Sequence, residues 1–171
     1  DTTDRSNEQK IMREERRTMK LITGNMHHTG FVVDDAEQTL QCMEKQFGEL
    51  NAMKYAFKPT HAYCNGEEVE NYELKIIMVS MGENNTNIEI IQPVSEGYHK
   101  DVVTKSNGGG IHHICYAVNN YDEIRKHFQE ANAKFVFESE TEDEVIGYRR
   151  CFYAEDTKGN VVEIKENPYF R

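Results

Sequence analysis

An internal repeat limits the folds open to this chain more than any other feature. Residues 27–35, HHTGFVVDD, align with residues 112–120, HHICYAVNN. Each copy opens with a histidine pair, continues with an aromatic residue and a valine, and closes with two residues of the type that caps helices. The repeat predicts two similar halves, each beginning with a strand that leads into a helix.

An apolar stripe at helical spacing follows each copy of the repeat. The stripe residues are Ala36, Leu40, Met43 and Phe47 in the first half and Tyr121, Ile124, Phe128 and Ala131 in the second. Runs of alternating or branched apolar residues then predict strands. These strands are expected at residues 73–81, 86–92, 134–138, 148–154 and 160–165. The chain therefore divides into a polar N-terminal extension (1–23), a first module (24–107) and a second module (108–171).

Composition excludes several function classes. The 30 acidic residues outnumber the 20 basic ones and give a net charge of -10, so a global basic surface for nucleic acid is absent. No apolar run approaches the ~20 residues that a membrane span needs. None of the four cysteines lies in a Cys-x-x-Cys pair, which favours reduced thiols in a cytoplasmic protein.

The residues that carry chemistry also occur at matched positions. Each half opens with two histidines and closes with a glutamate between branched apolar residues, Glu89 in Ile-Glu-Ile and Glu163 in Val-Glu-Ile. Such a glutamate points to the opposite face of its strand from its apolar neighbours. A carboxylate in a partly buried site is costly unless it is paired or binds a metal. The doubled pattern predicts one divalent metal ion held by one histidine and one glutamate from each half.

The histidine pairs leave one choice open. Neighbouring side chains in a regular strand point to opposite faces, so only one histidine of each pair is expected to face the metal. The other is expected to orient its neighbour or to hydrogen-bond across the sheet. Three further histidines, His61, His99 and His127, have no counterpart in the repeat and are expected to be surface or helix residues.

At these residues the chain resembles the vicinal-oxygen-chelate superfamily, which includes glyoxalase I and methylmalonyl-CoA epimerase, over about residues 26–166. The resemblance implies an α+β fold in which two βαβββ modules form a cup-shaped mixed sheet around one metal. It implies that the second histidine of each pair is the ligand. The implied metal ligands are His28, Glu89, His113 and Glu163. Cobalt, zinc, nickel and manganese all suit this set, and a homodimer is possible by analogy.

Two segments, IEIIQPVSEG and GGGIHHICYAV, are most similar to methylmalonyl-CoA epimerase. This similarity implies an isomerase that moves the α-proton of an acyl-CoA through a metal-stabilised enolate, with Glu163 and Glu89 as catalytic carboxylates. The family epimerase has a further glutamate base in its first module, for which Glu73 is the nearest candidate and Lys75 the alternative. Residues 54–71 match poorly and are expected to form part of the pocket rim.

Two other functions remain open at the level of sequence. The same ligand set resembles bacterial glyoxalase I, so a lactoylglutathione lyase acting on a thiol adduct is the first alternative. The second alternative is a non-catalytic protein of the same fold that binds a small molecule and confers resistance to it.

Overall fold

The computed structural model describes residues 26–83 and 86–171, which form the predicted α+β fold. The predicted N-terminal extension, residues 1–23, lies outside the described residues. In chain order the elements are β1 (Met26–Val33), α1 (Ala36–Phe47), β2 (Asn51–Phe57), β3 (His61–Cys64), β4 (Glu67–Glu68), β5 (Leu74–Ser80), β6 (Asn87–Pro93), α2 (Tyr98–Lys105), β7 (Gly109–Val118), α3 (Tyr121–Glu130), β8 (Lys134–Asp143), β9 (Gly147–Glu155) and β10 (Val161–Glu166).

The ten strands form one sheet that curls into a half-barrel, in the order β2-β5-β6-β1-β7-β10-β9-β8-β3-β4. Strands β1 and β7, which begin the two halves, pair antiparallel at the centre. On either side, β6 runs parallel to β1 and β10 runs parallel to β7. The repeat in the sequence therefore becomes a repeat in space, and each histidine strand is flanked by the glutamate strand of its own half.

Residues 54–71, which are expected to form part of the pocket rim, include a strand pair that crosses between the halves. After β2, at one edge of the sheet, the chain passes to the opposite edge, where β3 pairs with β8. The register joins Tyr63 to Glu138 and Ala62 to Ser139. Strands of four and two residues are too short to produce a clear alternation in sequence, so neither was predicted.

The two faces of the sheet are covered differently because successive strand residues alternate between them. Ile77 and Ile90 lie on the outer face, in a cluster with Leu40 of α1. Helix α3 covers the outer face of the second half through Tyr121 and Ile124. The inner face, defined here by Val32, Ile76 and Ile91, contacts Tyr98 and Val103 of the unpredicted helix α2.

The two predicted helices begin where their capping residues indicated. The Asp35 side chain accepts a hydrogen bond from the backbone N–H of Gln38 at 2.9 Å, which satisfies one free donor at the start of α1. At the start of α3, Asn120 makes no such capping bond, and its amide donates to the Glu123 carboxylate at 2.9 Å. Within the described ranges, no helix combines the length and apolar character required to cross a membrane.

Gly109 provides a test of the central strand pair. Its φ is +103°, and a Cβ there would collide with the carbonyl oxygen of Val32 in β1. We expect Gly109→Ala to lower the free energy of unfolding by about 3 kcal/mol or more, because a positive φ costs about 1–2 kcal/mol and the collision about 1–3 kcal/mol. Gly159→Ala is the control, since Gly159 has φ +83° but open space around it. Equal losses for the two variants in urea titrations would contradict the close approach.

Candidate metal centre

The four predicted ligands converge on the inner face of the sheet. His28 lies on β1, Glu89 on β6, His113 on β7 and Glu163 on β10. One nitrogen or oxygen atom from each of them lies within 4.8 Å of the corresponding atoms of the other three. The histidines are 1% and 2% exposed and Glu163 is 6% exposed, so the cluster is almost dry.

The distances within this cluster are short and similar. The Nε2 atoms of His28 and His113 are 3.2 Å apart. Oε2 of Glu163 is 3.0 Å from Nε2 of His28 and 3.2 Å from Nε2 of His113. Oε2 of Glu89 is 3.1 Å and 3.7 Å from the same two atoms. Both histidines therefore present Nε2, and both glutamates present Oε2, to one small space.

The charges of the four groups compensate one another. Burial alone would lower the pKa of His28, but Glu89 and Glu163 outweigh burial and raise this pKa to about 10. Burial alone would raise the pKa of Glu89, but His28 and His113 lower it to about 2. The pKa of Glu163 also falls well below its usual value, because the same two histidines outweigh its burial. Both carboxylates are thus held ionised inside the sheet.

A single small cation fits this donor set. Ligand atoms that share a divalent first-row metal at bonds of about 2.0–2.2 Å lie about 3 Å apart at right angles and about 3.5 Å apart at tetrahedral angles. Four of the five separations, 3.0 to 3.2 Å, lie within this range, and the fifth, between His113 and Glu89, is 3.7 Å. Two neutral imidazoles and two carboxylates suit zinc, nickel, cobalt or manganese, with coordination positions left for substrate at five or six ligands.

A second group of possible ligands, His27, His28 and Cys115, is less suited to a metal. Burial raises the pKa of the Cys115 thiol well above its usual value, so this sulfur stays protonated. The Nδ1 atoms of His27 and His28 lie 2.8 Å apart and share a hydrogen bond, so they are not both free to bind a metal.

One histidine of each pair, His28 or His113, lies in the cluster, but the regular alternation of side chains does not hold within the pairs, because both pairs lie at β-bulges. The register between β1 and β7 shifts once between Met26 and His28, and again where Gly30 pairs with His113 but Phe31 pairs with Ile111. His27 and His112 are the extra residues at these shifts. A bulge turns the extra side chain away from strict alternation. As a result, the His112 ring lies 5.2 Å from the ring of His113, and the His27 ring 5.0 Å from that of His28.

Gly30 makes room for one of the imidazoles. A Cβ at this position would collide with the His113 ring, and Gly30 has no positive φ that would otherwise call for glycine. A glycine inside a strand often marks such a close approach, so Gly30 is the signal in the sequence that indicates the position of this ring. In the second half, Cys115 stands at the matching position, and it pairs with His28.

A role for Glu73 or Lys75 as a further base stays a prediction, and the structure gives the surroundings of both side chains. The Glu73 carboxylate pairs with Lys58 at 3.1 Å. Lys75 alternates with the inner residue Ile76 and lies on the outer face, in a cavity also lined by residues of α1. Instead Tyr55 on β2 lies opposite Ile76, on the inner face. Burial raises the pKa of the Tyr55 phenol, and Glu89 and Glu163 raise it further, so the phenol stays protonated near the cluster.

His99 was expected to be an ordinary surface or helix residue. It does lie in helix α2, but it is completely buried against the inner face. Its Nδ1 lies 2.7 Å from the Tyr72 hydroxyl, while its Nε2 has no hydrogen-bond partner among the described residues. Burial lowers its pKa to about 3, so the ring is neutral. Because α2 itself was not predicted, the sequence offered no means of placing this histidine.

The sequence profile of the glyoxalase/bleomycin resistance protein/dioxygenase superfamily matches residues 27–152, which is most of the chain. The chain belongs to this superfamily. A curated protein, the ethylmalonyl-CoA/methylmalonyl-CoA epimerase of Cereibacter sphaeroides, is 33% identical over 148 residues, which cover 85% of this chain and 99% of that protein. The predicted resemblance to methylmalonyl-CoA epimerases within the superfamily is therefore confirmed.

Solved structures share the fold of this chain. Methylmalonyl-CoA epimerase from Mycobacterium tuberculosis superposes with a TM-score of 0.59 at 18% identity, over 90% of this chain and 95% of that one. A hypothetical protein from Bacillus halodurans gives 0.61 at 19% identity, over 87% and 98% of the two chains. A Streptomyces coelicolor methylmalonyl-CoA epimerase variant in complex with 2-nitronate-propionyl-CoA gives 0.56 at 16% identity, over 86% and 99%.

Replacing Gly30 tests whether the position of His113 depends on this glycine. We expect Gly30→Ala to weaken zinc binding at least about tenfold, because the added methyl group displaces one of the four donors. Thr29→Ala, on the other face of the same strand, should bind zinc as the wild type does. Chelator competition gives both dissociation constants, and circular dichroism checks that the variants fold. Wild-type affinity in Gly30→Ala would show that the His113 ring does not need this space.

Proposed function

We propose that His28, Glu89, His113 and Glu163 hold one divalent metal ion. The observation that supports this is the convergence of four donor atoms at 3.0 to 3.7 Å on a buried face, with both carboxylates ionised. A buried carboxylate pair is costly without a compensating cation. Bound there, the ion would act as a Lewis acid that polarises a carbonyl oxygen of the substrate.

Elemental analysis tests this centre. Purified wild-type protein should carry about one equivalent of a divalent metal, while His113→Ala and Glu163→Ala should lose most of it, because each removes a quarter of the donor set. His61→Ala, which removes an exposed histidine on β3, should keep the wild-type content. Unchanged metal content in both cluster variants would refute the centre.

We propose that the protein is an epimerase that moves the α-proton of a 2-substituted acyl-CoA thioester. The single observation that carries this proposal is the 33% identity over 99% of the Cereibacter ethylmalonyl-CoA/methylmalonyl-CoA epimerase. The Streptomyces structure with 2-nitronate-propionyl-CoA supports the same class of ligand for this fold. The small-molecule partner is accordingly an acyl-CoA.

The two glutamates are the groups proposed to handle the proton. They enter the cluster from β6 and β10, which flank the central strand pair on opposite sides. Both contact the histidines through Oε2, so Oε1 of each is the atom that would take or return a proton. Inverting the configuration at a carbon requires removal on one face and return on the other. One of Glu89 and Glu163 would remove the α-proton as the ionised base. The other would first take a proton from solvent and return it on the opposite face, after which the first would release its proton to solvent.

Aromatic side chains complete the proposed site. The ring of Tyr153 lies 4.7 Å from that of His113 and is 3% exposed, so it shields the second half of the cluster from water. The protonated Tyr55 phenol, near both carboxylates, can donate a hydrogen bond to a substrate oxygen.

Hydrogen exchange at the α-carbon tests the proposed reaction. In deuterated water, metal-loaded protein should introduce a single deuterium at the α-carbon of methylmalonyl-CoA, detected by mass spectrometry. Glu163→Gln and Glu89→Gln should slow exchange by about 100-fold or more, because each removes a proton-transfer group. Glu67→Gln, on the exposed strand β4, should exchange at the wild-type rate.

The outcome also separates the alternatives. Absence of exchange with metal-loaded protein on both methylmalonyl-CoA and ethylmalonyl-CoA would refute the epimerase assignment. Loss of methylglyoxal–thiol hemithioacetal absorbance under the same conditions would then favour the lyase. Ligand binding without turnover on either substrate would favour a non-catalytic binding protein.

A further inference from the structure

Both ligand histidines are paired with the residue before them in the chain, and with the same geometry. Nδ1 of His27 lies 2.8 Å from Nδ1 of His28, and Nδ1 of His112 lies 2.9 Å from Nδ1 of His113. The two ring pairs meet edge to face, at interplanar angles of 78° and 81°. The contact is thus repeated in the two halves, and in both it is made possible by a bulge.

We propose that His27 and His112 are positioning residues that fix which nitrogen of each ligand histidine faces the cluster. The inference rests on the proposed metal centre. A neutral imidazole carries one ring proton, so a ring that offers its Nε2 lone pair must hold its proton on Nδ1. The hydrogen bond from that Nδ1–H goes to Nδ1 of the preceding histidine, which acts as the acceptor.

The rule of one proton per neutral imidazole also gives the position of the proton on His112. Because Nδ1 of His112 accepts, its own ring proton lies on Nε2, which can donate to the Tyr98 hydroxyl oxygen 2.9 Å away. Tyr98 is the first residue of α2 and packs in the inner core, so His112 is held at both ends. The hydrogen bonds from His113 to His112 and from His112 to Tyr98 therefore connect the proposed metal site to helix α2.

A hydrogen-bond acceptor beside Nδ1 matters because an imidazole can otherwise adopt states that do not bind the metal through Nε2. Without it, an imidazole can place its proton on Nε2 or turn about its χ2 angle, and both remove the lone pair from the cluster. A group that hydrogen-bonds the far nitrogen of a ligand histidine prevents these changes, and its loss typically weakens metal binding by about 10–100-fold. Carboxylates and backbone carbonyls usually serve in this way, and here a histidine does so in each half.

Metal affinity is the first measurement. We expect His27→Phe and His112→Phe to weaken zinc binding by about 10–100-fold in chelator competition at fixed pH. His27→Gln and His112→Gln should recover most of the affinity, since the amide oxygen of glutamine can accept the same hydrogen bond. His61→Phe, which removes an exposed histidine from β3, is the matched control and should bind as the wild type does.

The second measurement reports the tautomers directly and does not depend on activity. Long-range proton–nitrogen spectra of zinc-loaded wild-type protein should show His28 and His113 bound through Nε2 with the proton on Nδ1, and His27 and His112 protonated on Nε2. In His112→Phe, the signature of His113 should change while that of His28 persists. A role confined to packing would not produce this selective change.

The outcomes separate this inference from the metal centre itself. If His113→Ala loses zinc but both phenylalanine variants bind within about twofold of the wild type, only the positioning role is refuted. Coordination of His28 or His113 through Nδ1 in the wild type would also refute it. A wild type that binds no zinc would overturn both proposals. Should a phenylalanine variant fail to fold, the glutamine variant and the wild-type spectrum decide.

Discussion

The structure depends on charge compensation inside a dry sheet. Glu89 and Glu163 stay ionised there only because His28 and His113 lie within hydrogen-bond distance, and those histidines accept protons readily only because of the carboxylates. An ionised group that loses its partner in such a place costs about 3–5 kcal/mol. The four side chains therefore form one unit, and a divalent cation that replaces the histidine protons would satisfy the same carboxylates.

The backbone of β1 and β7 departs from regular strand geometry at the positions that place the histidines of the cluster. Regular alternation would send His27 and His112 away from their neighbours, and the two bulges prevent this. Gly30 leaves the volume that the His113 ring occupies, and Gly109 allows β7 to approach the backbone of β1. These departures concentrate in the central strand pair, where the two halves meet, so the site lies at the axis of the repeat.

Much of this arrangement was visible in the sequence, because it follows from local patterns. Two helices, seven strands and the fold class were predicted from periodicity, capping residues and the repeat, and the structure contains them. Strands β2, β3 and β4 and helix α2 were not predicted. They are short or mostly polar on the exposed side, and their positions are set by contacts with distant segments, as the pairing of β3 with β8 illustrates.

By itself, the sequence determined that one histidine pair and one glutamate recur in each half, because a repeat places like residues at like positions. Only the tertiary structure decided that all four donor atoms meet, that both histidines of each pair lie close together, and that His99 is buried. The physical reason is that these facts depend on strand register and on two one-residue bulges. A shift of one residue reverses the direction of every side chain in a strand, and composition and spacing do not record it.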